Sequence, residues 1–505
     1  MLELLLSTLG TFENVEYLIQ EVEISRVEDY CILKQSEMKR EVEVAELHLT
    51  LYVTFAETDE NGQEVRYRGS YNTEIHPGTT AGELRGIIEN GLYAAGFVKN
   101  PWFPLVAPSG GRAEAGETSE AGESAEAGEP AETGETAEAG ESAEAGEPAE
   151  AGESAEAGES AEAGESAEAG ESAEDREACE TENFDAEAAL RELKDAFYAN
   201  DCHENGRLSY GEFYISVKKT RIINSSGVDV SFSTNTAFVE TAVHWRNEDG
   251  GEIEITEAYD FSLAADTRPA CEMLEGRIAQ LFAVAKEKSS AKPTPKVADI
   301  NILLTGGCLV EFFDYYWCAS NAQFIFQRLS TYKEGQQVQG IAGDECDRVT
   351  LTLDPMMEGS PRSRPYDDDG LQVKSHVIIE DGKLLKYNGN TRFSSYVGVE
   401  PTGAIRNMHI TGGTASMDDL RRGPHLELVS FSGFQVNAVT GDIVSEIRLG
   451  FYFDGEKTVP VTGGSISGNI SRVHDTMRMS EEERQYGFYR GPATVCIRGA
   501  SISGC

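Results

Sequence analysis

The sequence predicts an α+β protein with two folded domains, the first a mixture of strands and helices and the second mostly antiparallel β. Three observations predict it. Long stretches alternate apolar and polar residues with a period of two, the signature of half-buried strands. A few segments carry apolar residues at helical spacing, and one tract between them has a six-residue period that gives no continuous apolar face. A chain of 505 residues exceeds a single compact core. The expected boundaries are 1–108 for the first part of the N-terminal domain, 109–180 for an insertion, 181–290 for its second part and 291–505 for the C-terminal β-rich domain.

Residues 12–75 alternate in the manner of strands, most clearly from Val44 to Phe55, and Asp59 to Gly62 reads as a turn. A helix follows, with Thr79 or Thr80 as its cap, Glu83 where a capping-box acid belongs, and Leu84, Ile87, Ile88, Leu92 and Ala95 as its apolar stripe before Pro101. In the insertion Glu recurs every third residue from Glu114 to Glu174, 21 in all. Each Gly there opposes helix and the like charges repel, so this acidic Gly/Glu/Ser/Ala repeat is expected to be a disordered spacer. Helical spacing returns from Ala186 to Ala199, strands from Phe213 to Thr256, and another helix over Ala270 to Glu287. Ser289 to Lys296 reads as a linker. Beyond it the pattern predicts a helix near Ala319 to Leu329 and many short strands, with hairpin signals at Asp381-Gly382, Asn388-Gly389 and Asp454-Gly455.

The charge excludes some functions. With 42 Lys+Arg against 88 Asp+Glu the formal charge is -46, which repels nucleic acid and anionic membrane surfaces. No stretch of about 18 apolar residues spans a membrane, and the first ten residues, with Glu3 and no basic residue, make a poor signal peptide. Nine scattered cysteines without a Cys-x-x-Cys pair read as reduced thiols in a cytoplasmic protein. Phosphate-binding glycine loops are absent, so nucleotide binding has no support.

Several segments together resemble the TldD/PmbA family over almost the whole chain outside the insertion. They are Ala94 to Pro104, Thr220 to Gly227, Tyr366-Asp-Asp-Asp-Gly370, Ile379 to Leu384, Val436 to Asp442, Asp454 to Val461, Ser465 to Asn469 and Gly491 to Gly504. The resemblance implies a two-domain α+β architecture and a metallopeptidase setting. Catalytic members carry a His-Glu-x-x-x-His helix whose histidines, with a later Cys, hold zinc, while the Glu acts as general base. Here the corresponding helix falls near Thr305 to Cys318, which contains no histidine. The eight histidines of the chain nowhere stand three, four or five residues apart, so a helical His pair is impossible.

The expected site is therefore an absence: no catalytic, cofactor-binding or metal-binding residue is assigned to this chain. Cys496 reads as a small buried apolar residue. Cys308 and Cys318 are weighed as nucleophiles and set aside, because Glu311 and Asp314 beside them would raise a thiol pKa. Asp201, His203, Asn205, Gly206, Ser209 and Glu212 match the spacing of an EF-hand calcium loop, yet a strand-like run follows where a second helix belongs, so a plain helix-to-strand turn is expected. The acids Asp367, Asp368 and Asp369 read as a solvated turn. Asn437, Gly441, Gly455 and Gly468 are expected to shape turns. The resemblance implies a non-catalytic, TldE-like subunit that pairs with a TldD-like catalytic chain carrying the zinc and acts on extended or unfolded peptides. A stand-alone homodimeric peptide-binding scaffold is the alternative, and an active hydrolase with an unrecognised site a third.

Overall fold

The computed structural model describes residues 1–58, 62–108, 184–297 and 299–504. The acidic insertion and most of the turn expected at Asp59 to Gly62 lie outside the described residues. The N-terminal part is one antiparallel sheet in the order β3-β2-β1-β4-β5-β6, built from β1 (Glu16–Ile32), β2 (Gln35–Thr58), β3 (Glu64–Glu74), β4 (Gly206–Asn224), β5 (Asp229–Arg246) and β6 (Glu252–Ser262). Strand alternation places Ile19, Val27 and Cys31 of β1 on the same face as Leu49 of β2 and Ile215 of β4, all buried. Four helices cover that face.

Helices α1 (Leu2–Leu9) and α2 (Ala81–Ala95) pack on one end through Leu5, Leu84 and Ile88. Thr80 closes the start of α2 with a capping box: its hydroxyl accepts from the Glu83 amide, and the Glu83 carboxylate accepts from the Thr80 amide at 2.8 Å. Helices α3 (Ala186–Ala199) and α4 (Arg268–Ser289) cover the other end through Leu190, Leu193, Phe197, Ile278 and Phe282. The bounds of α3 are those its apolar spacing predicts, and Asp185 caps it by accepting from Ala188. Helix α1 had no counterpart in the sequence pattern.

The expected linker does more than connect. Its Lys292–Pro293 strand, β7, pairs in parallel with Val461 and Thr462 of the C-terminal part, and the Thr294 amide donates to the Thr462 carbonyl. That strand and β8 (Asn301–Thr305) belong to one nine-stranded sheet, while a second, six-stranded sheet runs through Leu351–Leu353, His376–Glu380 and Met408–Ile410. Most pairings are antiparallel, as expected, but β8 runs parallel to His425–Val436 and Met408–Ile410 runs parallel to Tyr489–Pro492. The common core includes Leu304, Phe312, Phe313, Leu351, Met408, Leu428 and Val495.

Three expectations need correction. The helix implied by the resemblance near Thr305 to Cys318 is α5 (Cys308–Ala319), but the helix read near Ala319 to Leu329 shrinks to Ala322–Phe326, started by the Asn321 side chain accepting from Gln323. The hairpins at Asp381-Gly382 and Asp454-Gly455 form. Asn388-Gly389 does not make one: Asn388 is buried, bridges Asn321 in parallel and donates to the Trp317 carbonyl at 2.9 Å. Gly441 and Gly455 sit in turns at positive φ, and Asn437 accepts from Val439 and Thr440, but Gly468 lies within a strand where a side chain would press Ala500.

Candidate functional site: the helix α5 and its open face

β8 feeds α5 through Gly306, whose φ of +100° is a conformation that side-chain-bearing residues rarely adopt. One side of α5 buries Leu309, Phe312, Phe313 and Tyr316; the Phe313 ring stacks on Tyr489 with centroids 5.7 Å apart, and the Tyr316 hydroxyl meets His474 Nδ1 at 3.0 Å. His474 Nε2 lies 3.3 Å from Asp475, so both ring nitrogens are occupied.

The open side of α5 carries Glu311, Asp314, Tyr315 and Trp317, all half-exposed. Read against a His-Glu-x-x-x-His helix, Glu311 is the acid, and the two histidine positions hold Val310 and Tyr315. Val310 is buried and offers no donor atom. Cys496, expected as a small buried residue, lies in the strand Thr494–Ile497 packed with Leu303, Ala415 and Leu420, and burial pushes its thiol up to about 11. This donor set does not fit zinc, which needs imidazole, thiolate or carboxylate atoms converging at about 2.0–2.3 Å. Among the described residues no three His, Cys, Asp or Glu converge in that way.

Asp314 is held by an ion pair to Arg406, whose guanidinium carbon lies 4.4 Å from the Trp317 ring centroid and 4.9 Å from that of Phe488. Trp317 is itself fixed, donating from Nε1 to the Ile405 carbonyl at 2.9 Å. Burial, then the neighbouring Asp314, pushes the Glu311 carboxyl upward, while Arg406 opposes the shift. Burial, again followed by Asp314, lifts Cys318 up to about 12, and its thiol donates to Asp314 at 3.5 Å. A thiol so placed stays protonated and is no nucleophile at neutral pH. Cys308 is likewise buried. The Arg406, Trp317 and Phe488 assembly had no local signal in the sequence, since its members come from three separated segments.

The EF-hand spacing does not make a calcium loop. Asp201 accepts from the Leu208 amide and pairs with Lys34 at 3.0 Å, the His203 ring lies 4.5 Å from Phe282, and Glu212 stands inside β4 and accepts from Tyr214. The segment is a helix-to-strand turn, as expected. The Asp367 to Asp369 turn is not solvated as expected. Asp367 is 1% exposed and accepts backbone N–H groups from Asp369, Leu371 and Ala404, and burial lifts Asp369 to about 7; only Asp368 reaches outward, paired with Arg364. The turn is buried because it docks on the N-terminal sheet, which composition cannot show.

Residues 298–504 match the profile of the PmbA/TldA metallopeptidase C-terminal domain. The chain is 29% identical over 130 residues to the metalloprotease PmbA of Escherichia coli O157:H7, covering 25% of this chain and 29% of that protein. It is 29% identical over 169 residues to a metalloprotease of Methanothermobacter thermautotrophicus, covering 30% and 36%. The matched stretches thus span about a third of these curated relatives. Two solved structures share the fold along the whole chain. One, from Thermotoga maritima and described as a candidate modulator of a DNA gyrase, gives a TM-score of 0.68 at 14% identity and full coverage of both chains. The other, TldE from Thermococcus kodakarensis, gives 0.64 at 14% identity with 99% of each chain covered. Residues 298–504 thus carry a PmbA/TldA metallopeptidase C-terminal domain, and the chain as a whole shares the fold of TldE.

Proposed function

We propose that this chain is a non-catalytic subunit of a two-chain metalloprotease, pairing with a TldD-like chain that carries the zinc and presenting extended or unfolded peptide to it. The observation that carries the reading is α5, where Val310 and Tyr315 occupy the positions flanking Glu311 that a zinc-binding helix of this family gives to histidine. A helix that keeps the acid but lacks both imidazoles can shape a chamber and cannot activate a metal-bound water.

The N-terminal sheet supports the peptide-binding half of the reading. Gln35 to Glu46 of β2 pairs with β1 along one edge, while β3 covers β2 only from His48 onward. Among the described residues no strand pairs with the other edge of that stretch, leaving main-chain groups free to add an extended peptide as a strand. No helix of the described residues is long and apolar enough to cross a membrane. The reading also carries a cytoplasmic location, supported by the free thiols at Cys31, Cys202, Cys271 and Cys346.

Affinity purification of the chain from its own cells tests the proposal, with mass spectrometric identification of stoichiometric partners and zinc analysis of the complex. The expected result is a co-purifying chain with a His-Glu-x-x-x-His segment and zinc that departs when the two chains are separated. Recovery of this chain with itself alone would replace the proposal with a homodimeric peptide-binding scaffold. Zinc at one per chain together with peptide cleavage by the lone chain would overturn both.

A further inference from the structure

We propose that Arg406 is the receptor for a carboxylate on the bound peptide, an inference that rests on the peptide-binding reading above and names the group recognised. The guanidinium sits at the end of the parallel pair Met408–Ile410 and Tyr489–Pro492, beside the open face of α5. Its side chain is 34% exposed. Two rings, Trp317 and Phe488, hold its plane, and the tie from Trp317 to the Ile405 carbonyl holds the first ring in turn.

The hydrogen bonds of Arg406 are incomplete. A guanidinium has five N–H donors in a flat fork matched to carboxylate. Arg221 and Arg364 show what a filled fork looks like: Arg221 reaches Asp229 through Nε and Nη2, both at 2.9 Å, and Arg364 reaches Asp368 through both terminal nitrogens. Arg406 spends Nη1 on Asp314, and Nε and Nη2 have no partner among the described residues. A rigid, half-exposed cation with one edge of its fork unspent is pre-organised for a planar anion, because the cost of ordering the side chain has already been met by the rings.

A carboxylate suits the site better than a phosphate. Glu311 and Asp314 stand beside it and the whole chain is acidic, so a dianion meets more repulsion than a single charge. The carboxylate has two sources in a peptide, the free C-terminus and an acidic side chain.

Calorimetry on the full-length chain separates them, using three acetylated alanine peptides: one ending in a free carboxylate, one ending in an amide, and one amidated peptide with a single internal Glu. The expected result is that a carboxylate-bearing peptide binds at least about tenfold more tightly than the neutral amide. The free acid leading identifies the terminus, and the Glu peptide leading identifies a side chain. Arg406→Lys keeps the charge beside Asp314 and removes the fork, and the preference is expected to shrink to about twofold or less. Should that variant fail to fold, Phe488→Leu, which loosens the guanidinium, is expected to weaken the preference in the same direction. Equal binding of all three peptides, no binding by any, or a preference that survives both substitutions would overturn the assignment. A preserved preference in a chain that purifies without a partner would sink the subunit reading and leave this one standing.

Discussion

Gln20 and Asp368 lie 348 positions apart, yet the Gln20 side-chain amide donates to the Asp368 carbonyl oxygen across 2.6 Å. The contact fastens the Tyr366 to Gly370 turn to the face of the N-terminal sheet opposite the helices. On that face Leu18, Tyr52 and Ile222 pack with Phe103 and meet Tyr396 from the C-terminal part. Arg392 strengthens the seam by donating to Asn100 at 2.9 Å.

Asp369 gives this seam a pH dependence. Burial is the largest cause of its pKa of about 7, followed by Asp367 and Asp368, with Arg392 and Arg364 opposing; Tyr52 faces it from β2. A carboxyl whose folded pKa lies above its unfolded value holds a proton only in the folded state across that interval. Its contribution therefore falls as pH rises from about 4 to about 7 and is level above that. Asp369→Asn stays neutral throughout. Urea midpoints of both proteins from about pH 5 to about pH 8 are expected to show the variant gaining on the native chain as pH rises; parallel curves would remove Asp369 from the account.

Gly370 is the steric partner of the same contact. Its φ is +81°, and an added Cβ would stand 2.8 Å from Val228 Cγ1 and 3.2 Å from Ile222 Cγ2. Gly370→Ala is expected to cost about 1–3 kcal/mol from backbone strain and overpacking, read as a lowered urea midpoint. A loss below about 0.5 kcal/mol would mean that the turn moves away from β4 without penalty.

The capping box of α2 makes a local prediction. Thr80→Ala leaves the Glu83 amide without its acceptor and is expected to lower stability by about 0.5–2 kcal/mol. Hydrogen exchange is the sharper readout, since Glu83 and Leu84 amides should exchange faster while those of α3 keep their native rates. Unchanged exchange at both residues would show that the box contributes nothing.

The thiols should divide by burial. Cys202 is exposed, whereas Cys318 and Cys496 are buried and pushed up to about 12 and about 11. Alkylation of the native protein near pH 8, followed by peptide mapping, is expected to label Cys202 fastest among the described cysteines and to spare Cys318 and Cys496 until denaturant is added. Early labelling of Cys318 would reopen it as a nucleophile.

Legibility in the sequence follows the range of the interactions. Helix α3 was readable because its Asp185 cap and its Ala189, Leu190, Leu193 and Phe197 stripe lie within a few turns. The long strands of the N-terminal sheet were readable from their two-residue alternation. Helix α5 was harder, since Cys308 to Ala319 is apolar on most of its circumference and shows no clear stripe, so only the family resemblance placed a helix there.

Local pattern thus decided the long N-terminal strands, helices α2 to α4 and, through the spacing of eight histidines, the impossibility of a helical His pair. Those are properties of neighbours along the chain, and propensity and periodicity act at that range. Folding decided which of three adjacent aspartates is buried, whether Asn388 turns a hairpin or enters the core, and that Arg406 meets Trp317 and Phe488. Burial and ring contact depend on partners many residues away, and no pattern within a segment carries information about the surface that another segment will bring to it.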